Sequence, residues 1–298
     1  MAVDWEGVFP ALMTEFHGDE SLDLESTSRH IEACVKAGIH GLVMLGTLGE
    51  NSSLSAEEKT AVLSAAVEAV DGKIPVLAGT AEYTTDIAVD FAKTAERVGC
   101  AGLMALPCMV YEQDSQEAIQ HFRRLAGATD LPIMIYNNPV SYKVDLSPQD
   151  FTALSDCDTI VAVKESSHDS RRITDMFNVC GDRYRLFCGV DDLVLENLLF
   201  GAVGWVSGMV NAFPEESIRL YELAKARRVD EAVALYRWFM PVLHLDVHVK
   251  LVQYIKLANQ MTGLGSETVR RPRMKLAGEE RLRIEGIIAQ ALETRPNL

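Results

Sequence analysis

The chain has 298 residues, 48% of them hydrophobic and 24% charged, with a formal net charge of −15 from 43 acidic against 28 basic side chains. This acid excess argues against nucleic acid and anionic membrane surfaces as partners, since both are bound through basic patches, and no apolar run approaches membrane-spanning length. The six cysteines are scattered with no Cys-x-x-Cys pair and the first residues carry no secretory pattern, so a cytoplasmic protein with free thiols is expected.

Short apolar runs alternate with amphipathic stretches along the chain. Residues 7–13 and 41–45 read as the first two strands. Ser55 with Glu58 three residues later predicts a capping box opening a helix through Val70. After a strand at 75–79, Ile87, Phe91, Ala95 and Val98 keep one helical face, which Gly99 ends. Further strands are expected at 102–106, 132–136, 160–164, 185–189 and 204–207. Eight is the number that closes a parallel barrel, and the pattern is one of repeated βα units.

An internal echo supports that arrangement. Gly38-Ile39-His40-Gly41, Gly99-Cys100-Ala101-Gly102 and Gly201-Ala202-Val203-Gly204 each stop a helix and open an apolar strand. The rival, a doubly wound open sheet, lacks its G-x-G-x-x-G signature after the first strand. We therefore expect an α/β fold, a (β/α)8 TIM barrel over residues 1–210. The last barrel helix and a C-terminal helical extension would form one continuous unit over 211–298, with helical spacing at 216–226, 229–239, 247–260 and 279–292.

In such a barrel the chemistry lies at the carboxyl ends of the strands. The run Ile160-Val161-Ala162-Val163 is apolar and mostly β-branched, yet it ends on Lys164. A strand-end lysine can snorkel to water. If buried instead, it loses the ammonium proton more readily and offers a free amine to a carbonyl, which is Schiff-base chemistry. Strand five ends in Tyr136-Asn137-Asn138-Pro139, next to that lysine strand. The tyrosine hydroxyl there would relay protons, or else the ring is simply core. Strand two ends in Gly46-Thr47-Leu48-Gly49-Glu50, where a hydroxyl and free amides between glycines suit a carboxylate. Gly189, Val206 and Ser207 close strands seven and eight and suit the close approach of a small ligand. Asp191 either joins them or, with Asp192, begins the next helix, where acids favour the N-terminus.

These motifs, in this order and spacing, resemble the dihydrodipicolinate synthase and N-acetylneuraminate lyase family over nearly the whole chain. The resemblance implies a (β/α)8 barrel with a helical extension, a homotetramer, and a small 2-oxo acid substrate such as pyruvate, with neither metal nor cofactor. It implies that Lys164 forms the Schiff base, Tyr136 shuttles the proton and Thr47 helps hold the carboxylate, with Asn138 also at the site. The chain departs from the family pattern in three places. Leu48 stands where a second hydroxyl residue is usual, leaving only its amide. Pro107 is followed by Cys108-Met109-Val110-Tyr111 rather than by tandem tyrosines, so Tyr111 is the candidate for a residue that reaches a neighbouring subunit. Ser141 occupies the position of the arginine that binds the synthases' aldehyde substrate.

A Schiff-base aldolase or hydro-lyase is thus expected, with true synthase activity disfavoured. One alternative is a deaminase or dehydratase of a cyclic imine acid such as 1-pyrroline-4-hydroxy-2-carboxylate, whose enzymes carry a run similar to Val140-Ser141-Tyr142. A non-catalytic ligand sensor on the same barrel is the alternative of another class. His244, Asp246 and His248 could suggest metal ligands. Their place in the helical extension, away from the strand ends, argues against it. Arg270-Arg271-Pro272-Arg273 reads as a solvated patch or subunit contact.

Overall fold

The computed structural model describes residues 3–297. Eight parallel strands occur in chain order: β1 (Gly7–Pro10), β2 (Leu42–Met44), β3 (Val76–Thr80), β4 (Gly102–Ala105), β5 (Ile133–Asn137), β6 (Ile160–Glu165), β7 (Arg185–Cys188) and β8 (Gly204–Ser207). Each pairs in parallel with its neighbour from β2 through β8, and β8 pairs with β1. A parallel bridge between Ala11 and Val43, with the Leu12 N–H donating to the Val43 carbonyl at 2.9 Å, brings β1 beside β2 and closes the ring. The fold is a TIM barrel, as its eight apolar runs predict.

The connections form for local reasons. Ser55 and Glu58 make the reciprocal capping box of the helix Ala56–Val70. The echoed glycines Gly38, Gly99 and Gly201 all adopt positive φ where a helix hands over to a strand. Along β6 the side chains alternate between barrel interior and helix layer, which sends Ala162 and Lys164 inward. Phe9 and Phe187 meet edge to face at 5.3 Å and plug the interior. A layer of side chains at the carboxyl ends therefore has a solid floor beneath it.

Beyond β8 come the helices Pro214–Lys225, Val229–Leu243, Leu251–Thr262 and Gly278–Glu293. The third differs from expectation: residues 247–250 are not helical, and 244–250 form an irregular crossing between two helices. Side chains compete with the helix ladder there. The Lys250 N–H donates to His248 Nδ1 at 3.1 Å, and Val247 and Val249 are β-branched.

The extension is fastened to the barrel by charge. Lys256 and Glu50 are wholly buried and 2.9 Å apart, and the Lys256 amine also donates to the carbonyls of Thr14 and Thr268. The arginine patch is paired within the chain, with Arg270 and Arg273 largely buried and Arg271 exposed. Arg270 pairs with Glu58, Arg271 with Glu20 and Arg273 with Glu50. No helix is long and apolar enough to cross a membrane among the described residues.

Candidate active site

A cavity of about 450 Å³ opens at the carboxyl end of the barrel. Thr47, Leu48, Tyr136, Asn138, Ser141, Lys164, Gly189 and Val206, all expected there, line it. Lys164 stands in register with Tyr136 across β5 and β6, so the two side chains leave adjacent strands on the same face. The Lys164 amine lies 3.9 Å from the Tyr136 ring centroid, and the residue is only 5% exposed. Burial lowers its pKa, opposed by the nearby Asp246, Tyr142 and Asp191. The amine is thereby shifted toward the neutral form that attacks carbonyls.

Two neighbours set where that amine sits. One residue on, Glu165 faces the helix layer and accepts from the Ser167 N–H at 2.7 Å and from Asn137 Nδ2 at 3.0 Å, which pins the strand end. On the next strand Gly189 leaves the space the lysine needs. A Cβ there would fall 2.0 Å from Ser166 Oγ and 2.7 Å from Lys164 Cε.

The Tyr136 hydroxyl accepts from Asn138 Nδ2 at 3.0 Å, and burial pushes its pKa up to about 12. Tyr142, which sequence reasoning did not single out, meets Tyr136 edge to face at 5.6 Å. Its hydroxyl lies 2.6 Å from Thr47 Oγ1, and burial raises its pKa also. Two phenols and a threonine hydroxyl thus gather around one amine, an arrangement able to move protons as a carbonyl becomes an imine.

Three residues named for the site lie outside the cavity of this chain. Tyr111 is 61% exposed and lines no part of the cavity. The loop after β4 turns it outward, and its hydroxyl donates to Glu117 at 3.0 Å. Asp191 is wholly buried behind the wall, where it accepts from Trp205 Nε1 (2.9 Å), Ser207 Oγ (2.9 Å) and the Met209 N–H (2.8 Å). Desolvation pushes its pKa up to about 6 despite those donors. Ser207 is thereby spent on Asp191, and the pair clasps the ends of β7 and β8 rather than lining the cavity.

The reverse correction applies to 244–250. This segment crosses the barrel mouth, and Asp246 and His248 line the cavity together with Lys164. His244 Nδ1 sits 2.7 Å from Asp192 Oδ2, and His248 stacks on Tyr254 at 4.7 Å. Among the described residues no group of three or more His, Cys, Asp or Glu side chains is arranged to hold a metal ion. Nothing in the local pattern around Asp246 marks it as part of a site made by strands 40 to 200 residues earlier.

A match to the dihydrodipicolinate synthetase family spans residues 4–291. The chain belongs to that family. Members of the dihydrodipicolinate synthetase family are lyases. Among curated relatives, the 4-hydroxy-tetrahydrodipicolinate synthase 2 of Halalkalibacterium halodurans is 31% identical over 97% of this chain and 99% of its own. A DapA-like lyase of Halobacterium salinarum, described as uncharacterized, is 31% identical over 95% of this chain and 93% of its own. Among solved structures, a dihydrodipicolinate synthase from Bacillus anthracis superposes with a TM-score of 0.93 at 28% identity, covering 99% of this chain and all of that one. The family barrel is therefore kept over the whole chain while most side chains differ.

Proposed function

We propose that this protein is a metal-independent Schiff-base lyase that acts on pyruvate or another small 2-oxo acid through Lys164. The observation that carries the proposal is the buried amine in register with Tyr136 at the floor of the cavity. The neutral amine attacks the 2-oxo carbon to form a carbinolamine. Tyr136 carries a proton to the departing hydroxyl, water leaves, and an iminium remains. That cation draws electrons from the neighbouring C–H or C–C bond, which activates the substrate for elimination or cleavage. Thr47 Oγ1 and the Leu48 amide hold the substrate carboxylate, since hydroxyl and backbone donors converging on one point suit an anion.

Borohydride tests the proposal by reducing the iminium to a stable amine. Incubation with pyruvate and borohydride should add the pyruvyl mass at Lys164, located by peptide mapping. No adduct across a panel of 2-oxo acids and cyclic imines would favour a ligand sensor, and an adduct on another lysine would overturn the assignment.

A second reading, a deaminase or dehydratase of a cyclic imine acid, draws support from Ser141 and Tyr142. Both line the cavity where an aspartate-semialdehyde site would need a cation. A guanidinium offers a carboxylate two charge-assisted bonds, whereas a serine offers one neutral hydroxyl. The difference should cost about 1.5–3 kcal/mol, roughly ten- to a hundredfold in specificity. Condensation of pyruvate with aspartate semialdehyde should therefore be poor while trapping at Lys164 survives. A coupled assay giving an ordinary biosynthetic rate would contradict this and point to Lys143, whose amine now donates to the Val140 carbonyl at 2.9 Å.

A further inference from the structure

The turn that follows β2 is held in a conformation its own residues disfavour. Leu45 and Glu50, at its two ends, both take positive φ, at +58° and +51°. A side chain in that left-handed region crowds its own backbone, so the residue stays there only where its surroundings enforce it. Between these two the chain folds back tightly. A Cβ on Gly49 would fall 2.8 Å from the Leu45 nitrogen, and one on Gly79 of β3 would fall 2.5 Å from the Leu45 carbonyl oxygen. The Glu50 N–H donates to the Thr47 carbonyl at 3.0 Å, which closes the turn on itself without setting where it stands.

The ties that place the turn come from far along the chain. Glu50 is wholly buried, and one of its oxygens lies 2.9 Å from the Lys256 amine on the helix Leu251–Thr262. The other oxygen accepts from the Arg270 N–H at 3.1 Å and lies 3.4 Å from Arg273 Nη1. Lys256 gives hydrogen bonds to the carbonyls of Thr14 and Thr268, at 2.8 and 2.7 Å, so what it offers Glu50 is chiefly charge. Thr14 in turn donates its hydroxyl to the Gly49 carbonyl at 2.8 Å. The Lys256 amine therefore reaches the turn by two routes, directly through Glu50 and through Thr14 to Gly49. All three side chains are wholly buried, which strengthens each contact. A buried ion pair is nevertheless a poor source of net stability, because both ions lose their hydration. Apolar packing would dock a helix there at least as well. What the charges add is a fixed position for Glu50.

We propose that Glu50, Thr14 and Lys256 are positioning residues for substrate binding. Through them the helical extension holds the turn at 46–50 where Thr47 Oγ1 and the Leu48 amide meet the carboxylate of a 2-oxo acid. The inference rests on Schiff-base formation at Lys164 and on carboxylate binding by this turn. None of the three lines the cavity, whereas Thr47 and Leu48 do, so each acts through those two. Donors that converge on one anion lose much of their effect when displaced by about 1 Å. A shift of the turn leaves the amine itself in place, because β6 sets its position. Loosening the turn thus weakens the hold on a carboxylate and spares the chemistry of the imine.

Borohydride trapping of two ketones separates these effects. Pyruvate carries the carboxylate and hydroxyacetone does not. Each trapping rate is divided by that of N-α-acetyllysine to remove the ketone's own reactivity. The wild type should prefer pyruvate. Glu50→Gln keeps the shape of the side chain, removes its charge and should lower that preference about tenfold, the effect of losing a hydrogen bond to a charged group. The loss should appear as a higher half-saturating pyruvate concentration, with the saturated rate near that of the wild type. Lys256→Met should act alike. Where a single variant does not fold, two others carry the test. Glu50→Gln/Lys256→Met leaves neither charge buried without its partner, and Thr14→Val keeps both charges in place. Each should show the same selective loss, and a full-mass Lys164 adduct at saturating pyruvate certifies folding. Folded variants that keep the wild-type preference would overturn the proposal and reduce the pair to a fastening of the extension. An equal fall for both ketones would overturn it too, since that is general damage to the site. A wild type that traps neither ketone refutes the Schiff base on which the inference rests. One that traps both without preference refutes carboxylate binding by the turn.

Discussion

Lys164→Ala is expected to abolish borohydride trapping and turnover together, with the barrel intact. Among the described residues no other amine is placed to substitute. Lys143 lines the cavity but is exposed and donates to a backbone carbonyl, and Lys256 is locked against Glu50. The fold should tolerate the change, because Lys164 is an amine held out of water and its loss removes a desolvation cost along with a few contacts. Circular dichroism and the melting temperature should therefore stay near wild type while the adduct disappears. The pH dependence gives an independent check. A pKa lowered by burial means that, at any pH below the ordinary lysine range, a larger fraction of this amine is neutral. Trapping by the wild type should accordingly persist to lower pH than that of an exposed lysine, falling only as Lys164 itself gains a proton. A trapping profile that rises only in the ordinary lysine range would mean that the side chain reaches water.

Tyr136→Phe should slow turnover by about 10²–10³, within the usual range for a positioned proton carrier. Only one hydroxyl is lost. The edge-to-face contact with Tyr142 remains available, and the sacrificed bond to Asn138 is worth about 1 kcal/mol of stability. The defect should appear in the rate of adduct formation measured by rapid quench, since carbinolamine dehydration is the step assigned to this hydroxyl. The Lys164 adduct should still reach full mass given time. Wild-type kinetics in the variant would leave Tyr136 as a core ring and shift the relay to Tyr142 and Thr47, whose hydroxyls already lie 2.6 Å apart.

What could be read from the chain alone is what depends on local pattern and on the order of neighbours. Alternation of apolar runs with helical faces marks eight strands, and eight parallel strands leave one closed solution. Because β5 and β6 are consecutive, Tyr136 and Lys164 had to stand side by side whatever the rest of the chain did. Their shared direction follows from strand parity, a property of the backbone rather than of tertiary context. The capping box at Ser55 and the glycine handovers are local in the same sense.

Tertiary structure alone decided what happens after each strand ends, because a loop residue has no parity to say which way it points. Asp191 lies past the end of β7, yet it is satisfied behind the wall by Ser207, the last residue of β8, since a buried carboxylate takes the nearest donors available. Tyr111, the candidate for reaching a neighbouring subunit, turns outward from its own barrel to Glu117. Asp246 came the other way: helical spacing assigned its neighbours to a helix, but a crossing anchored by His244 and Asp192 lays it over the mouth. Its environment is set by β6, β7 and β8, all distant in sequence. A carboxyl's protonation depends on what surrounds it in space, so only the closed barrel with its extension docked could bring that acid to face the lysine.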